Sequence, residues 1–230
     1  MQQLEIIARI RSDFSAKFGI PRQSGLAEGL RGRVVFEEEY RVAEAFRGLE
    51  DFSHIWLIWE FSEAARDAWS PTVRPPRLGG NTRMGVFATR SPFRPNPIGL
   101  SCVRLEAIRT DPELGTVLDV LGADLMDGTP ILDIKPYLPY CDSHPEASAG
   151  FTGARDMPLL RVDFPPALLE PIDKDLRPGL LGVLSRDPRP RYQDDPDRVY
   201  GMAFGGWEIR FRVEDGILTV LEATPAEQAQ

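Results

Sequence analysis

The stretch FSHIWLIWEF at residues 52–61 is the strongest indicator of fold in this chain. Aromatic and β-branched residues dominate it, and both types favour the pleated surface of a β-sheet. Shorter segments of similar character lie at residues 4–11, 32–36, 98–108, 116–121 and 131–134. They do not alternate regularly with helical patterns, as the strands of a doubly wound parallel sheet would. The sequence therefore predicts a mostly β (α+β) fold, built on a sheet or barrel.

Six prolines within residues 71–97 interrupt this series of strands. Because proline fixes φ and has no N–H to donate, the stretch cannot form a long helix, and only residues 84–89 are expected to pair in a sheet. Residues 41–47 are expected to form a short helix.

The β core is expected to end near residue 143. This predicts one domain at residues 1–143, followed by a linker and a small C-terminal α+β unit at residues 144–230. In that unit we expect a short helix within residues 173–185 and a hairpin about Asp215-Gly216, a dipeptide that favours tight hairpin turns. No segment has the glycine-rich turn of a Rossmann nucleotide site or a phosphate-binding loop.

The distribution of charge is more informative than its sum. The formal charge of −8 argues against a nucleic-acid ligand, yet residues 68–105 hold six arginines and no Asp or Glu. That segment is +6 and the remainder is −14. Arginine can pair bidentately with phosphate or stack on a base. A solvated face, or ion pairs with the acidic remainder, would explain the segment equally well.

Several kinds of protein are excluded by what the sequence lacks. No apolar run approaches the roughly 20 residues of a membrane helix, and the first twelve residues lack the apolar centre of a secretory peptide. We therefore expect a soluble, cytoplasmic protein without a membrane partner. Two cysteines and two histidines, without CxxC or HExxH spacing, predict no catalytic metal. His54, inside the strand, is expected to be buried and hydrogen-bonded.

Two stretches combine arginine with a rigid or tightly turning backbone. They are RPPRLGGN at residues 74–81 and TRSPFRPNPIGLS at residues 89–101. Their glycines allow backbone N–H groups to approach a ligand closely, and their prolines stiffen the presentation of the arginines.

A third stretch, DLMDGTPILDIKPY at residues 124–137, is rich in carboxylates. Asp127 falls in a tight turn. The period-two rule for an extended segment then places Asp133, Lys135 and Tyr137 on one face. The structural alternative is that the glycines and prolines only make turns and that Asp133 and Lys135 form an ion pair.

Taken together and in order, these stretches resemble the TrmO family (TsaA-like, VirR). Its members are tRNA methyltransferases that act on N6-threonylcarbamoyladenosine beside the anticodon. The resemblance covers most of the chain, at residues 17–23 (KFGIPRQ), 52–56, 74–81, 85–101, 127–137 and 187–192 (DPRPRY).

The resemblance implies a single-sheeted β-barrel methyltransferase core that uses S-adenosylmethionine, works as a homodimer and binds the tRNA anticodon loop. The cofactor would lie near the dimer interface. Ser62-Glu63 stands where some relatives have His-Gln. The cofactor-binding residues implied by motif are Pro21, Arg22, Gln23, Ser62, Glu63, Arg90, Leu100, Asp127, Gly128, Thr129 and Pro130.

The resemblance also suggests roles in catalysis and RNA binding. Asp133 would accept the N6 proton or orient the urea N–H, while Lys135 and Tyr137 would position the threonyl carboxylate or a phosphate. Phe93 would stack on an unpaired base. The RNA-binding candidates are Arg74, Arg77, Arg94 and Asn96.

Two other functions remain compatible with the sequence. One is a non-catalytic RNA-binding or S-adenosylmethionine-sensing module that kept the pocket. The other is a methyltransferase for another small acceptor.

Overall fold

The structure is a computed structural model that describes residues 4–27, 29–62, 69–153, 158–190 and 195–226, with the side chain of Arg77 excluded. The strands are β1 (Ala8–Ser12), β2 (Arg31–Phe36), β3 (His54–Glu60), β4 (Thr72–Val73), β5 (Met84–Gly85), β6 (Ile98–Asp111), β7 (Gly115–Leu121), β8 (Pro130–Pro136), β9 (Arg161–Asp163), β10 (Tyr200–Phe204), β11 (Trp207–Glu214) and β12 (Ile217–Pro225). The α-helices are α1 (Pro139–Asp142), α2 (Pro166–Leu169) and α3 (Arg177–Ser185). Within the described ranges, no helix has the length and apolar character needed to cross a membrane.

Six strands close an antiparallel barrel in the order β1-β2-β7-β6-β3-β8. The predicted mostly β fold is therefore confirmed. The stretch at residues 52–61 supplies β3, which pairs with β6 on one side and with β8 on the other. Alternation along β3 sends Ile55, Leu57 and Trp59 into the barrel core.

His54 is exposed, contrary to the sequence prediction. It is the first residue of β3 and faces away from the core, opposite in direction to Ile55. A hydrogen bond of 2.9 Å joins its Nδ1 to Ser53 Oγ, and its ring centroid lies 6.2 Å from that of Tyr137. The prediction failed because the outward face of β3 also carries apolar residues, Trp56 and Ile58, so composition alone did not reveal which face is inside.

The proline-rich segment pairs less than predicted. Within residues 84–89, only Met84–Gly85 forms a strand, which pairs with Thr72–Val73, and Val86–Ala88 turns into a 3₁₀ helix. The helix expected at residues 41–47 is likewise a 3₁₀ turn, at Ala43–Phe46.

A β-bulge in β8 decides which way its polar residues face. Ile58 lies opposite Asp133, but the next residue of β3, Trp59, lies opposite Ile131, so Leu132 is an extra residue. Strict alternation from the buried Ile131 would point Asp133 into the core. The bulge turns it outward instead.

The C-terminal unit is a four-stranded sheet, in the order β10-β11-β12-β9, packed with α3 around a second core. The predicted hairpin joins β11 and β12 through Asp215 and Gly216, which both have positive φ as a two-residue hairpin turn requires. The strands β9 and β10 were not predicted.

The loop between β1 and β2, residues 13–30, packs into this second core. It contributes Phe14, Ala27 and Leu30, and the Phe14 ring meets Phe204 edge-on with centroids 5.3 Å apart. The same loop therefore connects two strands of the barrel and packs its side chains into the core of the C-terminal unit.

Candidate functional site

A cavity of about 600 Å³ opens where the end of β3 meets the start of β6. Its walls come from the ends of these strands, from the β1–β2 loop, from the proline-rich loop before β6 and from the loop before β8. Clefts of about 300–1,000 Å³ are typical of sites for small molecules and cofactors.

The cavity gathers seven of the eleven residues predicted to bind a cofactor, although they are far apart in sequence. These are Pro21, Arg22, Gln23, Ser62, Arg90, Leu100 and Thr129. Glu63 lies outside the described residues. Asp127, Gly128 and Pro130 are described by the structure but are not among the residues that line the cavity.

Two of the loops are joined over the cavity. The guanidinium of Arg90 donates a hydrogen bond to the amide oxygen of Gln23, and the amide nitrogen of Gln23 donates to the carbonyl of Arg22. This contact couples the proline-rich loop to the β1–β2 loop.

The turn before β8 helps to close the barrel. The Asp127 carboxylate accepts the N–H of Ser12 at 2.9 Å, and the N–H of Gly128 donates to the carbonyl of Ile10 at 2.8 Å. Gly128 has a φ of +77°, a conformation that favours glycine. Asp127 and Gly128 thus bind β1. Of the described residues 127–130, Thr129 is the one that lines the cavity.

The predicted RNA-binding residues occupy different parts of the proline-rich segment. Arg94 and Asn96 line the cavity, whereas Arg74 is exposed on the proline-rich segment and the side chain of Arg77 is not described. The guanidinium of Arg94 donates to the carbonyl of Thr89 at 3.0 Å, so it also stiffens its own loop.

The three predicted catalytic residues lie on β8 and just after it. Asp133 and Lys135 form the expected ion pair at 2.9 Å, with side chains 47% and 63% exposed. Tyr137 packs near Trp56, with ring centroids 5.7 Å apart. None of the three is part of the described cavity lining.

Two cavity-lining residues, Trp59 and Asp124, are linked through a buried serine, a set that the sequence did not single out. Trp59 Nε1 donates to Ser101 Oγ at 3.0 Å, and the Ser101 hydroxyl donates to Asp124 Oδ1 at 2.5 Å. Burial raises the pKa of the Asp124 carboxyl, while the Ser101 hydrogen bond and the charge of Arg90 oppose the rise. Ser101 and Asp124 sit at the ends of two predicted stretches, but their meeting depends on strand pairing.

Charges of both signs reach the cavity. Among the described lining residues, Glu60 and Asp124 are the carboxylates, and the cations are Lys17, Arg22, Arg90 and Arg94. The cavity is therefore suited to a ligand that carries both anionic and cationic groups.

Family models match the chain in two parts. The model of the tRNA-methyltransferase O N-terminal domain matches residues 9–143, and that of the TrmO C-terminal domain matches residues 159–226. The chain belongs to the tRNA-methyltransferase O (TrmO) family.

Relatives and solved structures agree with this assignment. A tRNA (adenine(37)-N6)-methyltransferase of Escherichia coli (strain K12) is 41% identical over 231 residues, covering 97% of this chain and 98% of the relative. One from Eikenella corrodens is 51% identical over 178 residues, covering 76% and 98%. The crystal structure of TrmO from Pseudomonas aeruginosa superposes with a TM-score of 0.78 at 34% identity, covering 97% of this chain and 99% of that one.

The DPRP part of the C-terminal element has a structural role in this TrmO-family chain. Arg189, 9% exposed, donates from Nε and Nη2 to the two carboxylate oxygens of Asp187 at 2.8 and 3.0 Å. This bidentate pair fastens the turn after α3. Arg191 and Tyr192 of the same element lie outside the described residues.

Proposed function

We propose that this protein transfers a methyl group from S-adenosylmethionine to N6 of the threonylcarbamoyladenosine beside the anticodon of tRNA. The observation that carries the proposal is the single cavity that unites Gln23, Arg90 and Thr129 on a barrel of the TrmO family. Membership of the TrmO family supports the reaction class, and the shared cavity supports this location for the site.

The cavity residues fit S-adenosylmethionine. Apolar walls from Trp59, Phe61 and Phe93 suit an adenine ring, and Arg22 and Arg90 suit the carboxylate of the amino-acid part. The bound cofactor supplies a methyl group that is already activated on a sulfonium. The protein's task is then to align the acceptor nitrogen and to exclude water.

Asp133, Lys135 and Tyr137 are proposed to handle the acceptor. Asp133 would take the N6 proton or hold the urea N–H, with Lys135 and Tyr137 placing the threonyl carboxylate or a phosphate. Because the three side chains lie outside the described cavity wall, the role requires that the RNA extends beyond the cavity or that a second copy covers it.

We also propose a homodimer. One reason is that a second copy could bring Asp133, Lys135 and Tyr137 into a shared site, and a second reason is the exposure of apolar residues. Ile98 and Leu100 lie at the start of β6, where they form part of the cavity rim, and are 40% and 50% exposed. Exposed apolar groups that adjoin one another mark interaction surfaces. Sedimentation velocity is expected to show a dimer, and Ile98→Lys to shift it toward monomer. A wild-type monomer at micromolar concentration would contradict the proposal.

The tRNA is proposed to contact the proline-rich segment, in the cytoplasm where tRNA is modified. The support is the +6 charge of residues 68–105 and the exposure of Arg74. Arg74, Arg77, Arg94 and Asn96 remain the candidate contacts.

The decisive experiment measures methylation of tRNA that carries threonylcarbamoyladenosine. Purified protein is incubated with labelled S-adenosylmethionine and tRNA from a strain lacking its own methyltransferase, and the nucleosides are separated by mass spectrometry. We expect one methyl group on N6-threonylcarbamoyladenosine and none on tRNA without that modification. Cofactor binding without any methylation would favour the sensing module, and methylation of a different small acceptor would favour the other alternative.

A further inference from the structure

A chain of hydrogen bonds runs from the barrel core to the cavity wall. It passes from Trp59 Nε1 to Ser101 Oγ at 3.0 Å and from the Ser101 hydroxyl to Asp124 Oδ1 at 2.5 Å. An indole N–H can only donate, so Ser101 accepts from Trp59 and its single hydrogen points to Asp124. The chain therefore fixes this carboxylate oxygen of Asp124 as an acceptor.

Core packing holds the first two members in place. Ser101 is 0% exposed and Trp59 is 8% exposed. The Trp59 ring rests against Gly99, its partner across the sheet, where a Cβ would come within 2.2 Å of the ring. Because both side chains are packed in the barrel, the Asp124 oxygen that accepts from Ser101 is held by a buried group.

Asp124 lies in the cavity wall and is half-buried. A carboxylate taken out of water is costly unless an opposite charge or several donors compensate it. Here it receives the Ser101 hydroxyl and the backbone N–H of Ser24, and it lies in the field of Arg90. A fixed, desolvated acceptor facing a cavity is arranged to receive a cationic donor from a ligand.

We propose that Asp124 accepts hydrogen bonds from the α-ammonium group of S-adenosylmethionine, an inference that rests on the cofactor proposed above. The cofactor carries two cationic centres, the sulfonium and the ammonium. Of these, only the ammonium has N–H groups that can donate to a fixed acceptor, and such charge-assisted bonds are the stronger kind. Asp124 therefore recognises the amino-acid part of the cofactor.

The test compares three ligands by calorimetry on the full chain. They are S-adenosylmethionine, S-adenosylhomocysteine and 5′-methylthioadenosine, which lacks the amino-acid part. For Asp124→Asn we expect the first two to bind about tenfold more weakly, or worse, and the third to bind as it does to wild type. Asp163→Asn, which alters an exposed carboxylate in β9, is the matched control.

Every other pattern overturns the assignment. Loss of S-adenosylmethionine binding alone would indicate a contact with the sulfonium, equal loss of all three ligands would indicate the nucleoside or a collapsed pocket, and no loss would remove Asp124 from the site. If Asp124→Asn does not fold, Ser101→Ala, which leaves the carboxylate, is expected to give the same ligand pattern with a smaller loss. Wild-type protein that binds none of the three ligands would refute the proposed cofactor itself, a separate outcome.

Discussion

Arg90 is the residue that links two loops over the cavity, through its hydrogen bond to Gln23. Arg90→Ala is expected to weaken S-adenosylmethionine binding about tenfold, because the variant loses a charged contact and loosens both loops. The side chain is exposed, so unfolding free energy should change by less than about 0.5 kcal/mol. Calorimetry and chemical denaturation measure the two effects.

Arg109→Ala serves as the control, since Arg109 is also exposed and pairs with Asp119 rather than facing the cavity. Unchanged cofactor affinity together with unchanged methylation in Arg90→Ala would remove Arg90 from the site.

Substitution of Asp133 distinguishes a catalytic role of this residue from a structural one. The pair with Lys135 is largely exposed, and such pairs contribute about 0–1 kcal/mol, so Asp133→Asn should unfold at nearly the wild-type temperature. If Asp133 handles the N6 proton, the methylation rate should fall by about 100-fold or more. Thermal unfolding and single-turnover methylation are measured on the same preparation.

The matched control is Glu222→Gln, which breaks an ion pair of similar exposure with Arg210 on the C-terminal sheet. Retained activity in Asp133→Asn, or activity lost only in step with unfolding, would show that the pair merely supports β8.

At the scale of single elements, the β3–β6 pair depends on a glycine. Gly99→Ala would place a Cβ within 2.2 to 2.5 Å of the Trp59 ring, which Ser101 holds in place. We expect a loss of about 1–3 kcal/mol in unfolding free energy, as overpacked cores show, together with weaker cofactor binding because Trp59 lines the cavity. Urea denaturation measures the first effect.

Gly85→Ala is the control for this substitution. A Cβ at Gly85 meets nothing within 4 Å and its φ of −56° suits any residue. Equal stability of the two alanine variants would mean that the Trp59 ring moves freely, contrary to the packing described.

At the scale of the whole molecule, the C-terminal unit supports the loop that carries Pro21, Arg22 and Gln23. Gly19, with a φ of +93°, lies so close to Met202 that a Cβ there would be 2.3 Å from Sδ. Arg31, at the end of this loop, also pairs with Asp175 at 2.9 Å. The C-terminal unit thus packs against the β1–β2 loop, which lines the cavity.

Met202→Ala is expected to lower the unfolding free energy by about 2–5 kcal/mol and to weaken S-adenosylmethionine binding several-fold, because the loop loses its packing partner. Leu218→Ala removes a buried side chain of the same core from β12, away from the contact with Gly19. It should destabilise by a similar amount without changing affinity. An equal effect of both variants on affinity, or none for Met202→Ala, would argue against the supporting role.

The sequence by itself determined the strands of the barrel and the loops that meet over the cavity. Aromatic and β-branched content was enough to predict β3, and the prolines were enough to show where regular strand pairing stops. These features are local properties of the chain. The loop carrying Arg90 was identified from its prolines set beside arginines, and the loop carrying Gln23 was identified from the family resemblance, which also named the contacts.

Only the tertiary structure decided which way key side chains face and which residues touch. The extra residue Leu132 reverses the direction of Asp133, and Asp127 is used to bind β1 rather than to line the cavity. The link from Ser101 on β6 to Asp124 in the loop before β8 joins residues 23 positions apart. Register, bulges and long-range contacts depend on the partner strand, and no local pattern of residues contains that information.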